Sequence, residues 1–131
     1  MPYTHDFEFR VRYNETDGQG HVHHANYFVY FELGRIEMLR ALGRGYEQFE
    51  ATGLNLVVSE ISCRYLRPSK FGDTLRLRTT TVRAKAARLW HTYELYCGEV
   101  LLAEGSSVVA CVDNQGAVRR LPAWLTEMPE A

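Results

Sequence analysis

Residues 13–43 read YNETDGQGHVHHANYFVYFELGRIEMLRALG. The first half is a polar loop punctuated by Gly18 and Gly20. It carries one acid beyond Glu15, namely Asp17, and the histidines His21, His23 and His24. The second half runs without a break into a helical pattern over 28–42, and Gly43 is placed as its left-handed stop. A helix start leaves backbone N–H groups unpaired and carries a partial positive charge. A carboxylate beside such an end can attack a carbonyl carbon, or activate water to do so, while an amide polarises the carbonyl oxygen. The residues therefore point to hydrolysis of an acyl group.

Outward from this stretch the chain reads mostly as sheet. Over 7–13 the pattern alternates, with Phe7, Phe9, Val11 and Tyr13 on one face and Glu8, Arg10 and Arg12 on the other, as in a half-buried strand. The helix has no clean polar face. Phe28, Phe31, Leu39 and Leu42 form one stripe, and Val29, Leu33 and Ile36 widen it, so burial on several sides is expected. Glu32 and Arg35 stand three apart and are placed to pair. A short second helix fits 45–52, with Gly53 at its end. Strands follow at 56–66, 74–82, 89–97 and 100–112. Pro68 and the Phe71-Gly72-Asp73 turn follow the first of these, Cys97-Gly98-Glu99 follows the third, and Gly105 suggests a bulge or bend in the last. The tail fits one helical turn starting near Pro122. One strand, one long buried helix and four further strands make an α+β fold, an antiparallel sheet wrapped around a single helix.

A chain of 131 residues is enough for one compact domain over 1–131 with a real core. Its net charge of −1 gives no footprint for nucleic acid or an anionic membrane surface. No apolar run approaches the roughly 18 residues of a membrane span. The opening MPYTHDFEFR lacks the basic start and apolar stretch of a signal peptide, and Cys63, Cys97 and Cys111 read as unpaired buried thiols. A cytoplasmic location is expected.

An isolated Asp in a Gly-rich loop is most often a turn former. The adjoining helix start, and glycines that allow close backbone approach, raise Asp17 above that reading. His21, His23 and His24 with Asp17 are a conceivable metal set, but their spacing matches no helical two-His motif, so no metal is expected. A helix N-terminus disfavours imidazolium there. Cys63 lies inside ISCRYL, a strand interior, where packing explains it better than nucleophilic chemistry. No Gly-x-Ser-x-Gly elbow, phosphate loop or dinucleotide fingerprint occurs. Arg83, Lys85 and Arg88 bracket the turn in TVRAKAARLW; they read either as a solvated hairpin or as a phosphate-holding cluster.

At Asp17 the pattern resembles a known family. The run ETDGQGHVHHANYFVYFE is similar to the hotdog-fold acyl-CoA thioesterases, above all those of the 4-hydroxybenzoyl-CoA type and the bacterial thioesterases associated with the Tol–Pal system. Asp17, Gly20, Val22, Asn26 and Tyr27 match in order and spacing, and RYLRPSKFGDTL, residues 64–75, resembles the family's Pro…Gly-Asp passage. The resemblance implies a hotdog fold, with the long helix as filling and a five-stranded antiparallel sheet as bun, in a homodimer or homotetramer. It implies that Asp17 is the catalytic carboxylate, as nucleophile or general base, and that the His24 amide polarises the thioester carbonyl. It further implies an acyl-CoA substrate, with coenzyme A as part of it and no other cofactor. Gly20, Val22, His23, Asn26 and Tyr27 would line the substrate site. Arg83, Lys85 and Arg88 would hold coenzyme A phosphates, and Ser59 would reach the site from a second subunit. Gly18 and His21 depart from the Pro or Ala and the apolar residue often found in those slots, which leaves the acyl preference open. Two other readings share the pocket: a non-catalytic acyl-CoA binder, and a hotdog enoyl-CoA hydratase or dehydratase.

Overall fold

The computed structural model describes residues 2–128. The chain opens with β1 (Tyr3–Arg10), passes a single 3₁₀ turn at Tyr13–Glu15 and enters α1 (Asn26–Ala41). A short α2 (Tyr46–Glu50) leads into β2 (Leu54–Tyr65), β3 (Thr74–Lys85), β4 (Arg88–Cys97) and β5 (Val100–Asp113), and α3 (Ala123–Thr126) ends the described chain. All pairings are antiparallel, in the order β1-β3-β4-β5-β2, so β1 and β2 are the two edges. The α+β arrangement read from the order of elements, with the five-stranded antiparallel sheet implied by the resemblance, is the one observed.

Alternation along the strands explains the two faces of the sheet. Leu75, Leu77, Thr79 and Thr81 of β3, and Leu89, His91, Tyr93 and Leu95 of β4, are buried toward α1. The opposite face is polar, with cross-strand neighbours Thr4, Thr80, Thr92, Ser106 and Ser62 forming a row of hydroxyls across every strand. The first strand begins and ends earlier than its alternation suggests. Val11 continues the buried face, but its N–H bonds to Asp73 outside the ladder, and Tyr13 lies 75% exposed on the 3₁₀ turn. The chain must turn there to reach the loop carrying Asp17, so hydrophobic periodicity outlasts the strand.

The buried stripe of α1 is also shifted from the expected one. Tyr27, Tyr30, Phe31, Gly34, Met38 and Leu39 face the sheet, whereas Phe28 and Val29 are 36% and 47% exposed. The two tyrosines can be buried because each hydroxyl has a partner: Tyr27 has Ser69 and Tyr30 has Glu15. Glu32 and Arg35 do not pair among the described residues; the Arg35 guanidinium instead donates to the Tyr93 hydroxyl at 2.9 Å. Gly43 does end the helix. Its φ of +81° lets its N–H reach the Arg40 carbonyl and the Arg44 N–H reach the Leu39 carbonyl.

Gly105 makes no bulge, for the register runs unbroken from Tyr93↔Gly105 to Gly105↔Cys63. The irregularities fall instead at Val58/Glu60, Thr81/Arg83 and Leu95/Tyr96. What Gly105 provides is space. Phe31 stacks on Tyr93 with ring centroids 4.2 Å apart and planes 5° apart, and its ring edge lies over Gly105. Replacing Gly105 by Ala would set the new β-carbon 2.5 Å from the Phe31 ring and 2.6 Å from the Ser62 carbonyl oxygen. Gly105→Ala is therefore expected to lower unfolding free energy by about 1–3 kcal/mol, read from the midpoint of urea denaturation. A variant as stable as its parent would show that the ring is not held there.

His91 is 2% exposed, and neither ring nitrogen has a partner among the described residues. Burial, reinforced by Arg35, holds its pKa down at about 3 against 6.5 for the free side chain. The unfolded chain therefore binds this proton more readily than the native one. The native state keeps its full advantage above about pH 6.5 and loses it as pH falls toward 3, by up to about 1.4 kcal/mol per pH unit. His91→Leu should flatten the fall in stability between pH 7 and pH 5. An unchanged difference between urea midpoints at those two pH values would count against a neutral buried imidazole.

Candidate active site

The loop between the 3₁₀ turn and α1 is a small hairpin. Thr16 bridges to Val22, and the Asp17 N–H donates to the His21 carbonyl at 2.7 Å. Gly20 sits at the tip with φ +81°, a conformation that disfavours other residues. The returning arm is fixed to the segment before β3: His21 bridges to Lys70, and the Val22 N–H donates to the Ser69 carbonyl at 2.8 Å.

Asp17 uses one carboxylate oxygen to hold this turn. Oδ1 accepts the N–H groups of Gln19 at 2.8 Å and His21 at 3.2 Å. These bonds, Gln19 first, keep its carboxyl below the usual carboxylate range. Oδ2 accepts no hydrogen bond among the described residues.

The helix begins through His23. Its carbonyl accepts the Asn26 N–H at 2.9 Å, and its Nδ1 accepts the N–H of Ala25, the residue just before α1, at 3.1 Å. That bond requires Nδ1 without a proton. The His23 N–H donates to the Glu15 carbonyl. Of the four successive N–H groups from His23 to Asn26, His24 alone lacks an acceptor among the described residues. Its side chain is exposed and stacks on His23 at 4.2 Å, and its carbonyl accepts the Tyr65 hydroxyl at 3.0 Å.

Asp17 and His24 line one open depression of about 310 Å³ with His21, Val22, Tyr27 and Tyr65, and the segment from Leu66 to Pro68 completes its lining. Burial and its surroundings raise the Tyr27 and Tyr65 hydroxyl pKa values, so both remain protonated donors. Asn26 is engaged elsewhere: its Nδ2 donates to the Glu15 carbonyl at 2.8 Å. Among the described residues no three His, Cys, Asp or Glu side chains are grouped to hold a metal ion. Burial raises the Cys63 thiol pKa, away from nucleophilic chemistry.

The remaining sequence candidates lie apart from this depression. Ser59 sits at the β2 irregularity, its hydroxyl donating to the Val108 carbonyl at 3.1 Å; six residues of strand, about 20 Å, separate it from Tyr65. Arg83, Lys85 and Arg88 flank the β3–β4 turn, with the Arg83 guanidinium over Trp90 at 4.9 Å. β3 starts beside the Asp17 loop and ends at this turn, so its 12 residues put the cluster about 36 Å away within one chain. Glu15, Tyr65, Arg67 and Ser69 went unnoticed as contributors. Tyr65, Arg67 and Ser69 all stand in RYLRPS, residues 64–69, where the resemblance is the only signal, and nothing in the sequence around Glu15 marks it.

A family model described as thioesterase-like superfamily matches residues 11–130. The acyl-CoA thioesterase YbgC of Haemophilus influenzae is 33% identical over 108 residues, which cover 82% of this chain and 79% of that one. The acyl-CoA thioester hydrolase YbgC of Escherichia coli O157:H7 is 32% identical over 105 residues, 79% of this chain and 78% of that one. A solved structure of a probable thioesterase from Bartonella henselae superposes with a TM-score of 0.87 at 33% identity, covering 91% of this chain and 99% of its own. No helix among the described residues is long and apolar enough to cross a membrane.

Proposed function

We propose that this chain, which belongs to the thioesterase-like superfamily, hydrolyses acyl-CoA thioesters with Asp17 as its reactive carboxylate and the His24 amide as its oxyanion donor. One observation carries the reading: Asp17 and His24 line the same depression, and Asp17 Oδ2 and the His24 N–H have no partners among the described residues. The thioester carbonyl oxygen takes the His24 N–H as negative charge develops on it. Asp17 Oδ2 then acts in one of two ways. It attacks the carbonyl carbon, the C–S bond breaks, coenzyme A leaves as its thiol after taking a proton, and water opens the resulting anhydride. Alternatively it takes a proton from water, whose oxygen attacks the same carbon, and that proton goes to the departing sulfur. Both routes end in free acid and coenzyme A, and neither calls for a cofactor.

Asp17→Asn keeps the side chain's shape but removes the lone-pair basicity both routes need. Its kcat should fall by at least about 100-fold with the fold intact. Activity within a few-fold of the parent would remove Asp17 from the mechanism. A single turnover in labelled water separates the routes, since only attack by the carboxylate leaves label in Asp17. Measuring thiol release across a panel of acyl-CoAs tests the activity itself: water addition without thiol release would mean a hydratase, and binding without turnover a sensor.

The same reading has a second copy completing the site. β2 is a 12-residue edge strand with Val57 and Val58 exposed, an open ladder that invites pairing. A two-fold axis through β2 joins two sheets and reverses the second. The partner's β3–β4 turn then stands at the same end of the joined sheet as Asp17. It lies three to four strand spacings from β2, about 15–20 Å, within reach of an extended coenzyme A. Arg83, Lys85 and Arg88 of the partner subunit hold phosphates there, and Ser59 of the partner subunit approaches across the seam. Light scattering should give at least twice 15.1 kDa, with a tetramer favoured. A fully active species of 15.1 kDa would refute both the assembly and the shared site.

A further inference from the structure

We infer that Glu15 is a positioning residue for this hydrolysis, bracing the first turn of α1 so that the His24 N–H stays open beside Asp17. The inference rests on the hydrolytic reading of that site.

Glu15 is 8% exposed, an unusual place for a loop carboxylate, and burying one unpartnered would be costly. Here it is fully engaged. Oε1 accepts the Arg12 N–H at 2.8 Å and the Tyr30 hydroxyl at 3.0 Å, and Oε2 lies 3.3 Å from the Arg12 guanidinium. Its own carbonyl accepts the His23 N–H at 2.8 Å and Asn26 Nδ2 at 2.8 Å. The side chain thus ties the loop entrance to Tyr30, which is completely buried in α1, while the backbone ties it to the residues on either side of His24–Ala25. With His23 and Asn26 held from outside the helix, and the Ala25 N–H held by His23, the His24 N–H has no acceptor among the described residues. Misplacing a catalytic donor by about 1 Å can cost on the order of 100-fold in rate.

Two replacements test the brace. Glu15→Gln retains an oxygen for the Arg12 N–H and the Tyr30 hydroxyl, and kcat should stay within about three-fold of the parent. Glu15→Leu removes both acceptors; kcat should fall by about 10–100-fold with KM nearly unchanged. The acid limb of the pH profile, set by Asp17, should not move, because the Gln19 and His21 N–H bonds that lower its pKa remain. If Glu15→Leu fails to fold, Tyr30→Phe removes one of the two contacts and should show a smaller loss with the same split between kcat and KM. The ¹H–¹⁵N resonance of His24 should shift in Glu15→Leu or Tyr30→Phe but hold in Glu15→Gln. Unchanged kcat and His24 resonance would overturn the inference, as would an acid limb displaced upward, which marks general loosening of the Asp17 loop. Should the parent protein release no thiol from any acyl-CoA, the hydrolytic reading fails, and the His24 resonance alone decides whether Glu15 braces the turn.

Discussion

The stacking of Phe31 on Tyr93 over Gly105 is the contact on which the rest of the molecule depends. It seats one helix at a fixed height and rotation on a sheet of five strands. With that rotation set, Tyr27 and Tyr30 fall beneath the helix start, where Ser69 and Glu15 meet their hydroxyls. The loop before α1 is thereby secured from below by side chains of the helix it feeds. A second cluster, around Leu39, Phe49, Leu89, Cys111 and Leu125, closes the opposite end of the helix. The chemistry and the bulk of the tail thus occupy different ends of one scaffold.

At the loop the chain solves two problems with few groups. Asp17 uses one oxygen to hold its own turn and leaves the other without a partner among the described residues, so the side chain that shapes the loop also presents a free carboxylate oxygen. His23 Nδ1 takes the Ala25 N–H in the turn ahead of the helix, and the His24 N–H is left without an acceptor among the described residues. The electrostatics agree with this division. The two N–H donors keep Asp17 ionised, while burial keeps the neighbouring tyrosines neutral.

Much of the architecture was legible because it follows from periodicity and punctuation. Strand alternation in β3, the length of α1 and the left-handed stop at Gly43 each have a local cause, and each was found. Three errors share a different cause. Tyr13 looked buried, Gly105 looked like a bulge, and Glu32 looked like the partner of Arg35. In each case the deciding neighbour is distant in sequence: Asp73 for the end of β1, Phe31 for Gly105, Tyr93 for Arg35. The site divides likewise. Asp17 and His24, which line one depression, stand within one stretch, but Glu15 meets Tyr30, and Tyr65 meets a carbonyl 41 residues away. Spacing along a chain does not encode such meetings.

The open N–H at position 24 belongs to the backbone, and this has a bearing on how such a site can change over generations. Any residue except proline offers the same donor, so the imidazole of His24 can be exchanged freely as far as that bond is concerned. Side-chain replacement at this position is nearly blind to the group in question, whereas Asp17 has no such latitude. A chain of this kind can therefore vary the side chain at the rim of its depression while the open N–H beneath it stays in place. At position 24 the written sequence records the exchangeable imidazole and leaves the open N–H unspelled.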